Sequence, residues 1–220
     1  TLFRSNVKLL TRQGSAAFAE VDTMGFTPNA TVTNAIDEQT TVLAIGNGQD
    51  LDVVKLDTYA YLDNEIVAVK AINLVAGTVT VERGVLDTVP APHLASARIW
   101  FADALEALIT EQYLSGESLQ VKMLPATGLG RLAESAATAD SYTFAGRMIR
   151  PYPPGNVKVN NVMWPTVILG QIALTWAHRD RMQQTVYLVT QTEANIGPEA
   201  GTTYTVRVYN ENNGLQKTVT

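Results

Sequence analysis

The chain has 220 residues, 46% of them apolar, with 21 acidic against 16 basic side chains and a net charge of -5, so it can bury a core and is not a charge-dominated disordered segment. The charge is uneven: residues 1–150 hold 17 acidic and 11 basic side chains and residues 151–220 hold 4 and 5, so neither part carries the basic excess of a surface that reads nucleic acid. With no cysteine, disulfides, thiolate metal sites and cysteine nucleophiles are excluded together.

Period-two alternation with β-branched residues runs through the sequence and predicts an all-β fold. Residues 1–58 are expected to be β-rich. Within them, Gly46-Asn-Gly-Gln-Asp50, with Asp52 and Asp57 beyond, has some of the oxygen-rich turn chemistry of a calcium loop. Calcium β-rolls work as stacked repeats, so this single copy is read as a solvated turn before a strand near Val53. A β-meander is expected from about Tyr59 to Phe101. Glu65-Ile-Val-Ala-Val-Lys70 is apolar on both sides and predicts a well-buried strand, Asn73-Leu-Val-Ala-Gly77 predicts a hairpin turn, and Thr78-Val-Thr-Val-Glu82 puts Val79 and Val81 on one face. After Glu82, a valine-rich strand stops at Arg83-Gly84, where a turn or bulge with Gly84 at positive φ is expected.

Asp103-Ala-Leu-Glu-Ala-Leu-Ile-Thr-Glu-Gln112 has Leu105, Leu108 and Ile109 at helical spacing behind an Asp103 cap, which favours a short helix against the surrounding trend. Leu119-Gln-Val-Lys-Met123 returns to alternation, with Leu119, Val121 and Met123 on one face. The small residues between Pro125 and Tyr142 predict a loop-rich surface stretch.

Arg150-Pro-Tyr-Pro-Pro-Gly155 is a stiff joint, because each proline fixes its own φ and biases the residue before it toward extended backbone. It divides an irregular β-meander or barrel-like region, residues 1–148, from an immunoglobulin- or fibronectin type III-like sandwich, residues 149–220. In the second, Ile172, Leu174 and Trp176 alternate, as do Tyr204, Val206 and Val208, so Trp176 and Tyr204 are expected on one inner face. Only 70 residues remain from Pro151 to Thr220, where such a sandwich needs about 100. The sandwich is therefore expected to be incomplete, and the chain, which begins at Thr1, to be an excerpt from a longer protein. No apolar run approaches the about 18 residues of a spanning helix, so no membrane span is expected.

Candidate chemistry is sparse. His93 and His178 are the two histidines, and without cysteine a transition metal would need mostly carboxylates; structural or surface roles are the simpler reading of both. Glycoside hydrolysis needs two carboxylates across a cleft, and Glu65, Glu82 and Glu117 can be nominated without any spacing that singles them out. No Gly-x-Ser-x-Gly elbow, phosphate loop or dinucleotide fingerprint is present. Trp176-Ala-His-Arg-Asp-Arg181 gathers an aromatic, a histidine and two arginines, but reads as a core tryptophan followed by Arg179, Asp180 and Arg181 leading out of a strand. No catalytic, cofactor-binding or metal-binding residue is assigned, and no enzyme activity or cofactor is expected.

Several short motifs occur together in order: a strand at Glu65–Lys70, then Glu82-Arg-Gly-Val-Leu-Asp-Thr88 with His93 after it and Arg98-Ile-Trp-Phe101, then Phe144-Ala-Gly-Arg147, the prolines 151–154, and Leu174-Thr-Trp-Ala-His-Arg-Asp-Arg181. This order, over roughly residues 59–209, resembles the tail-tip or baseplate hub proteins of long-tailed bacteriophages and gene transfer agents, in their C-terminal part with its fibronectin type III-like module. Asp87-Thr88 stands where glycine-threonine is more usual in that family, and residues 1–58 align with nothing in it.

The resemblance implies a non-enzymatic virion structural protein at the distal tail tip. Its partners would be other tail and baseplate proteins and copies of itself in a ring, commonly threefold, with a role in host attachment or the delivery conduit and a host surface receptor as a further partner. A carbohydrate- or receptor-binding module of a phage fibre or bacterial surface protein is the alternative. Outward-facing Trp100, Trp164 and Tyr152 would favour the alternative.

Overall fold

The computed structural model describes residues 6–102, 109–184 and 187–220. They form two compact units: Thr1–Arg150 with Tyr187–Gln191, and Pro151–Val186 with Thr192–Thr220. The fold is all-β, and among the described residues no helix is long and apolar enough to cross a membrane.

The first unit opens on the antiparallel pair β1 (Asn6–Arg12) and β2 (Ala19–Met24). Next come β3 (Asn29–Val32), β4 (Val42–Gln49), β5 (Tyr59–Leu62), β6 (Glu65–Asn73), β7 (Thr78–Glu82) and β8 (Arg98–Phe101), which close into a barrel in the order β3-β4-β7-β6-β5-β8. Strand β9 (Ser118–Thr127) then returns to pair along β1, from Ala126 opposite Asn6 to Gln120 opposite Arg12. The short strands β10 (Gly130–Arg131) and β11 (Asp140–Thr143) pair with β9 in turn, so the stretch expected as loop between Pro125 and Tyr142 carries sheet.

Alternation explains the barrel interior. Val67 and Val69 of β6 and Val79 and Val81 of β7 point inward with Val32, Leu43, Leu62, Ile99 and Phe101, and all are sealed from solvent. Each such side chain contributes about 1.5–3 kcal/mol of burial free energy. The outer face of β6 is buried too: Ile66 and Ala68 pack with Val85, Tyr59, Tyr61, Leu86 and Leu188. That second layer accounts for the strand's apolar reading on both sides. The turn between β6 and β7 forms at Asn73–Gly77, with the Asn73 Oδ1 accepting from the N–H groups of Val75 and Ala76 and Gly77 at φ 64°.

Three expectations are corrected in this unit. Gly46–Gln49 is the end of β4 rather than a loop, and a 3-10 turn at Leu51–Val53 stands where a strand was expected. Met123 is 50% exposed whereas Leu124 is buried, because β9 buries one face near Leu119 and the opposite face near Leu124. The predicted helix at Asp103–Gln112 lies largely on residues 103–108, outside the described residues, and 109–112 is irregular.

The second unit is built from two hairpins, β12 (Gly155–Val159) with β13 (Leu174–Ala177) and β14 (Val206–Tyr209) with β15 (Leu215–Val219). Trp176 and Tyr204 do meet, with ring centroids 5.3 Å apart. With Val157, Leu174 and Val206 they line a cavity of about 260 Å³. Both are half-buried rather than sealed, since two-stranded layers cannot cover a large aromatic side chain. Arg179 and Asp180, expected to lead outward, are buried. Arg179 donates to the carbonyls of His178, Ala194 and Glu193, and Asp180 accepts from the Met182 N–H and the Gln183 amide.

Candidate functional site

The loop from Arg83 to His93 leaves the end of β7 and wraps around one carboxylate, Glu65, at the start of β6. Glu65 has a side chain only 1% exposed. Its Oε1 accepts from Arg83 Nε at 2.8 Å and from the Gly84 N–H at 2.9 Å. Its Oε2 accepts from Arg83 Nη2 at 2.8 Å and the Ala91 N–H at 3.0 Å, and lies 3.0 Å from His93 Nε2. Burial pushes the Glu65 carboxyl up. The Arg83 and His93 hydrogen bonds, the Arg83 charge and the Ala91 N–H outweigh it, so the group is held below the usual carboxylate range.

Arg83 is equally complete. Beyond its two bonds to Glu65, Nη1 donates to the carbonyls of Asp37 (2.8 Å) and Thr40 (2.9 Å), and Nη2 to the carbonyl of Ala91 (2.6 Å). These bonds occupy every N–H of a guanidinium, which lets an arginine sit buried in an ion pair without an orphaned donor.

The turn itself depends on glycine. Gly84 has φ 59°, and a Cβ there would lie 2.4 Å from both Gln191 Cγ and Pro90 Cδ. Gln191 is held by its own N–H to the Arg83 carbonyl and by its side-chain amide to the Thr88 carbonyl, each at 3.3 Å. Thr88 ties the loop back to β6, its hydroxyl donating to the Val85 carbonyl at 2.8 Å and accepting from the Ile66 N–H at 3.1 Å.

His93 carries the network outward, since its Nδ1 lies 2.8 Å from Asp63 Oδ2, and the Asp63 side chain is 53% exposed. Above this floor opens a cleft of about 930 Å³. One wall is Tyr61 with Asp63, Asn64 and the loop residues Asp87 and Val89; the other is Tyr142 of β11 with Ala145, Arg147 and Arg150. Arg147 follows Gly146, which takes φ 65°, and meets Asp87 in a two-pronged ion pair, Nε to Oδ2 and Nη2 to Oδ1 (2.6 Å). The Arg147 hydrogen bonds hold the Asp87 carboxyl below its ordinary value and raise the guanidinium above its own. Burial, and after it the neighbouring Tyr59, pushes the Tyr61 phenol up.

Of the carboxylates and histidines nominated from sequence, the structure brings Glu65 and His93 into direct contact, and places Asp57 and Glu82 on one lysine. Glu82 pairs with Lys70 at 3.3 Å, as does Asp57 at 2.8 Å. Glu117 accepts from the Leu114 N–H, and Asp52 belongs to the 3-10 turn at Leu51–Val53. His178 Nδ1 lies 3.0 Å from the Tyr204 hydroxyl in the second unit. Of the three aromatics whose outward placement would favour the receptor-binding alternative, Trp100 and Trp164 are exposed, Trp100 with the Arg98 guanidinium 5.3 Å from its ring centroid, and Tyr152 is half-buried. Among the described residues, no group of three or more His, Asp or Glu side chains is arranged to hold a metal ion.

Sequence spacing gives no sign of the Arg147–Asp87 pair, because the two residues belong to separate motifs 60 positions apart. The chain matches no protein-family model and no curated protein sequence.

Proposed function

We propose that this chain is a structural part of a bacteriophage or phage-like tail tip, packing against neighbouring tail proteins and copies of itself around the tail axis and carrying out no catalysis. One observation carries the reading. Four of the elements on which the resemblance rests meet at one clamp and its cleft: the Glu65 strand, Arg83-Gly84 and His93 along neighbouring strands and their loop, and Arg147, which reaches Asp87 from 60 positions away. The clamp's buried charges are spent on one another and on backbone groups, a use suited to holding a rigid shape rather than moving protons.

The reading is tested with an antibody raised against the recombinant chain, applied to phage-like particles induced from the source strain and viewed by electron microscopy. Label at the distal tail end is the expected result, together with sedimentation of the chain as an oligomer burying at least about 1,000 Å² per specific interface. Label along fibres would transfer the chain to the receptor-binding alternative, and unlabelled particles would overturn both.

A further inference from the structure

The cleft above the Glu65 clamp has a wall chemistry that the clamp does not need. We propose that it is a binding site for a neutral oligosaccharide. The inference goes beyond the tail-tip assignment and holds wherever the chain resides, because it rests on the cleft alone.

Charge decides first. The three carboxylates around the cleft, Asp63, Glu65 and Asp87, are matched in number by the guanidinium groups of Arg147, Arg150 and, behind the cleft, Arg83: Asp87 pairs with Arg147, Glu65 pairs with Arg83, and Asp63 is hydrogen-bonded to His93. The remaining cation, Arg150, donates to the Ala145 carbonyl at 2.8 Å and sits near enough to Asp87 to act on its carboxyl. A phosphate or polyanion site needs a cluster of unspent cations, and a cation site needs unspent carboxylates. This cleft offers neither. It offers donors and acceptors side by side, and a sugar hydroxyl is both donor and acceptor.

Two aromatic rings supply the apolar part. Tyr142 is 54% exposed and is braced edge-on against Phe144, with centroids 5.1 Å apart and planes at 85°. Phe144 is stacked in turn on Tyr113 at 4.5 Å. Tyr61 is braced against Tyr59 at 5.7 Å and 87°. Rings fixed before binding cost little side-chain entropy, and a flat phenol presents an apolar face with a polar tip, which suits the C–H face and hydroxyl rim of a pyranose. The other apolar lining, Val89, Ala91, Pro92 and Ala145, consists of small side chains that offer no deep apolar slot for a peptide anchor or an acyl chain. The volume of about 930 Å³ lies within the usual range for a ligand cleft and exceeds what a single sugar ring fills.

The test is a glycan array of neutral and acidic bacterial surface oligosaccharides probed with the full chain, followed by calorimetric titration of any hit. Binding to at least one neutral glycan is expected. Tyr142→Ala should weaken it about tenfold or more, with the thermal melt of that variant confirming an intact fold, since Tyr142 lies on the surface of β11. Val75→Ala, in the exposed turn between β6 and β7 and outside the cleft, should bind as the unaltered chain does. The proposal is overturned if no neutral glycan binds, if only acidic glycans bind, or if Tyr142→Ala leaves the affinity unchanged.

Discussion

The barrel and the second unit each bury an arginine, and each satisfies it differently. Arg83, just past the end of β7, takes a buried carboxylate from the start of the neighbouring strand β6 and three backbone carbonyls from the connections between barrel strands, at Asp37, Thr40 and Ala91. Arg179 belongs to a unit of two-stranded ribbons. It reaches the carbonyls of His178, Ala194 and Glu193, with its guanidinium over Gly155, where a Cβ would lie 2.0 Å from Nη2. In the first case a complete sheet positions an ion pair. In the second, one long side chain ties irregular loops to a strand that lacks ladder partners on that side, work that backbone pairing does elsewhere.

If that contrast is right, the largest loss should come from Glu65→Ala, which leaves the Arg83 charge buried without its counter-ion. Chemical denaturation of the full chain should register about 3–5 kcal/mol, and a loss below about 1 kcal/mol would remove the clamp from the centre of the barrel's stability. The same carboxylate sets a pH dependence. Its folded pKa lies below the ordinary 4.5, so its stabilisation is complete above that value and fades as the pH falls through the folded pKa. Thermal melts between neutral and acid pH should therefore decline more steeply for the unaltered chain than for Glu65→Gln.

Next in size is Arg179→Ala. Three part-buried carbonyls lose a donor, for about 3 kcal/mol in all at about 1 kcal/mol each. Arg179→Lys should recover little, because an ammonium cannot span the same fork; full rescue by lysine would mean that charge, not geometry, is what the second unit requires. Gly84→Ala should cost about 2 kcal/mol through its positive φ and the overlap with Pro90 and Gln191. The smallest effect is expected for Arg147→Ala. Its partner Asp87 is 21% exposed and the arginine 49%, so solvent screening limits the pair to under about 1 kcal/mol. A larger loss in a denaturation curve would show that the cleft wall is as structural as its floor.

Local features of this fold were open to sequence reasoning and long-range ones were not. Val79 and Val81 inside, the Asn73–Gly77 turn and the positive φ of Gly84 all follow from neighbouring residues. Barrel closure does not, because it depends on β8 finding both β3 and β5, and no short-range pattern encodes that. Glu65 carried a visible signal, a carboxylate opening a strand apolar on both sides, with an arginine ending the next strand. Its meaning became plain only when the register brought the two together. The burial of Arg179 ran against its composition, since an Arg-Asp-Arg run looks like solvated chain until the carbonyls of a loop 14 residues on are seen to receive it.

The short segment Tyr187–Gln191 belongs to the first unit although the chain around it belongs to the second. Leu188 packs on the outer face of β6 and Gln191 closes over Gly84. The motif loop is thus completed by residues about a hundred positions downstream. The downstream chain is consequently not a detachable cassette: truncation at the proline joint would remove residues 187–191 and with them the strap over the Arg-Gly turn.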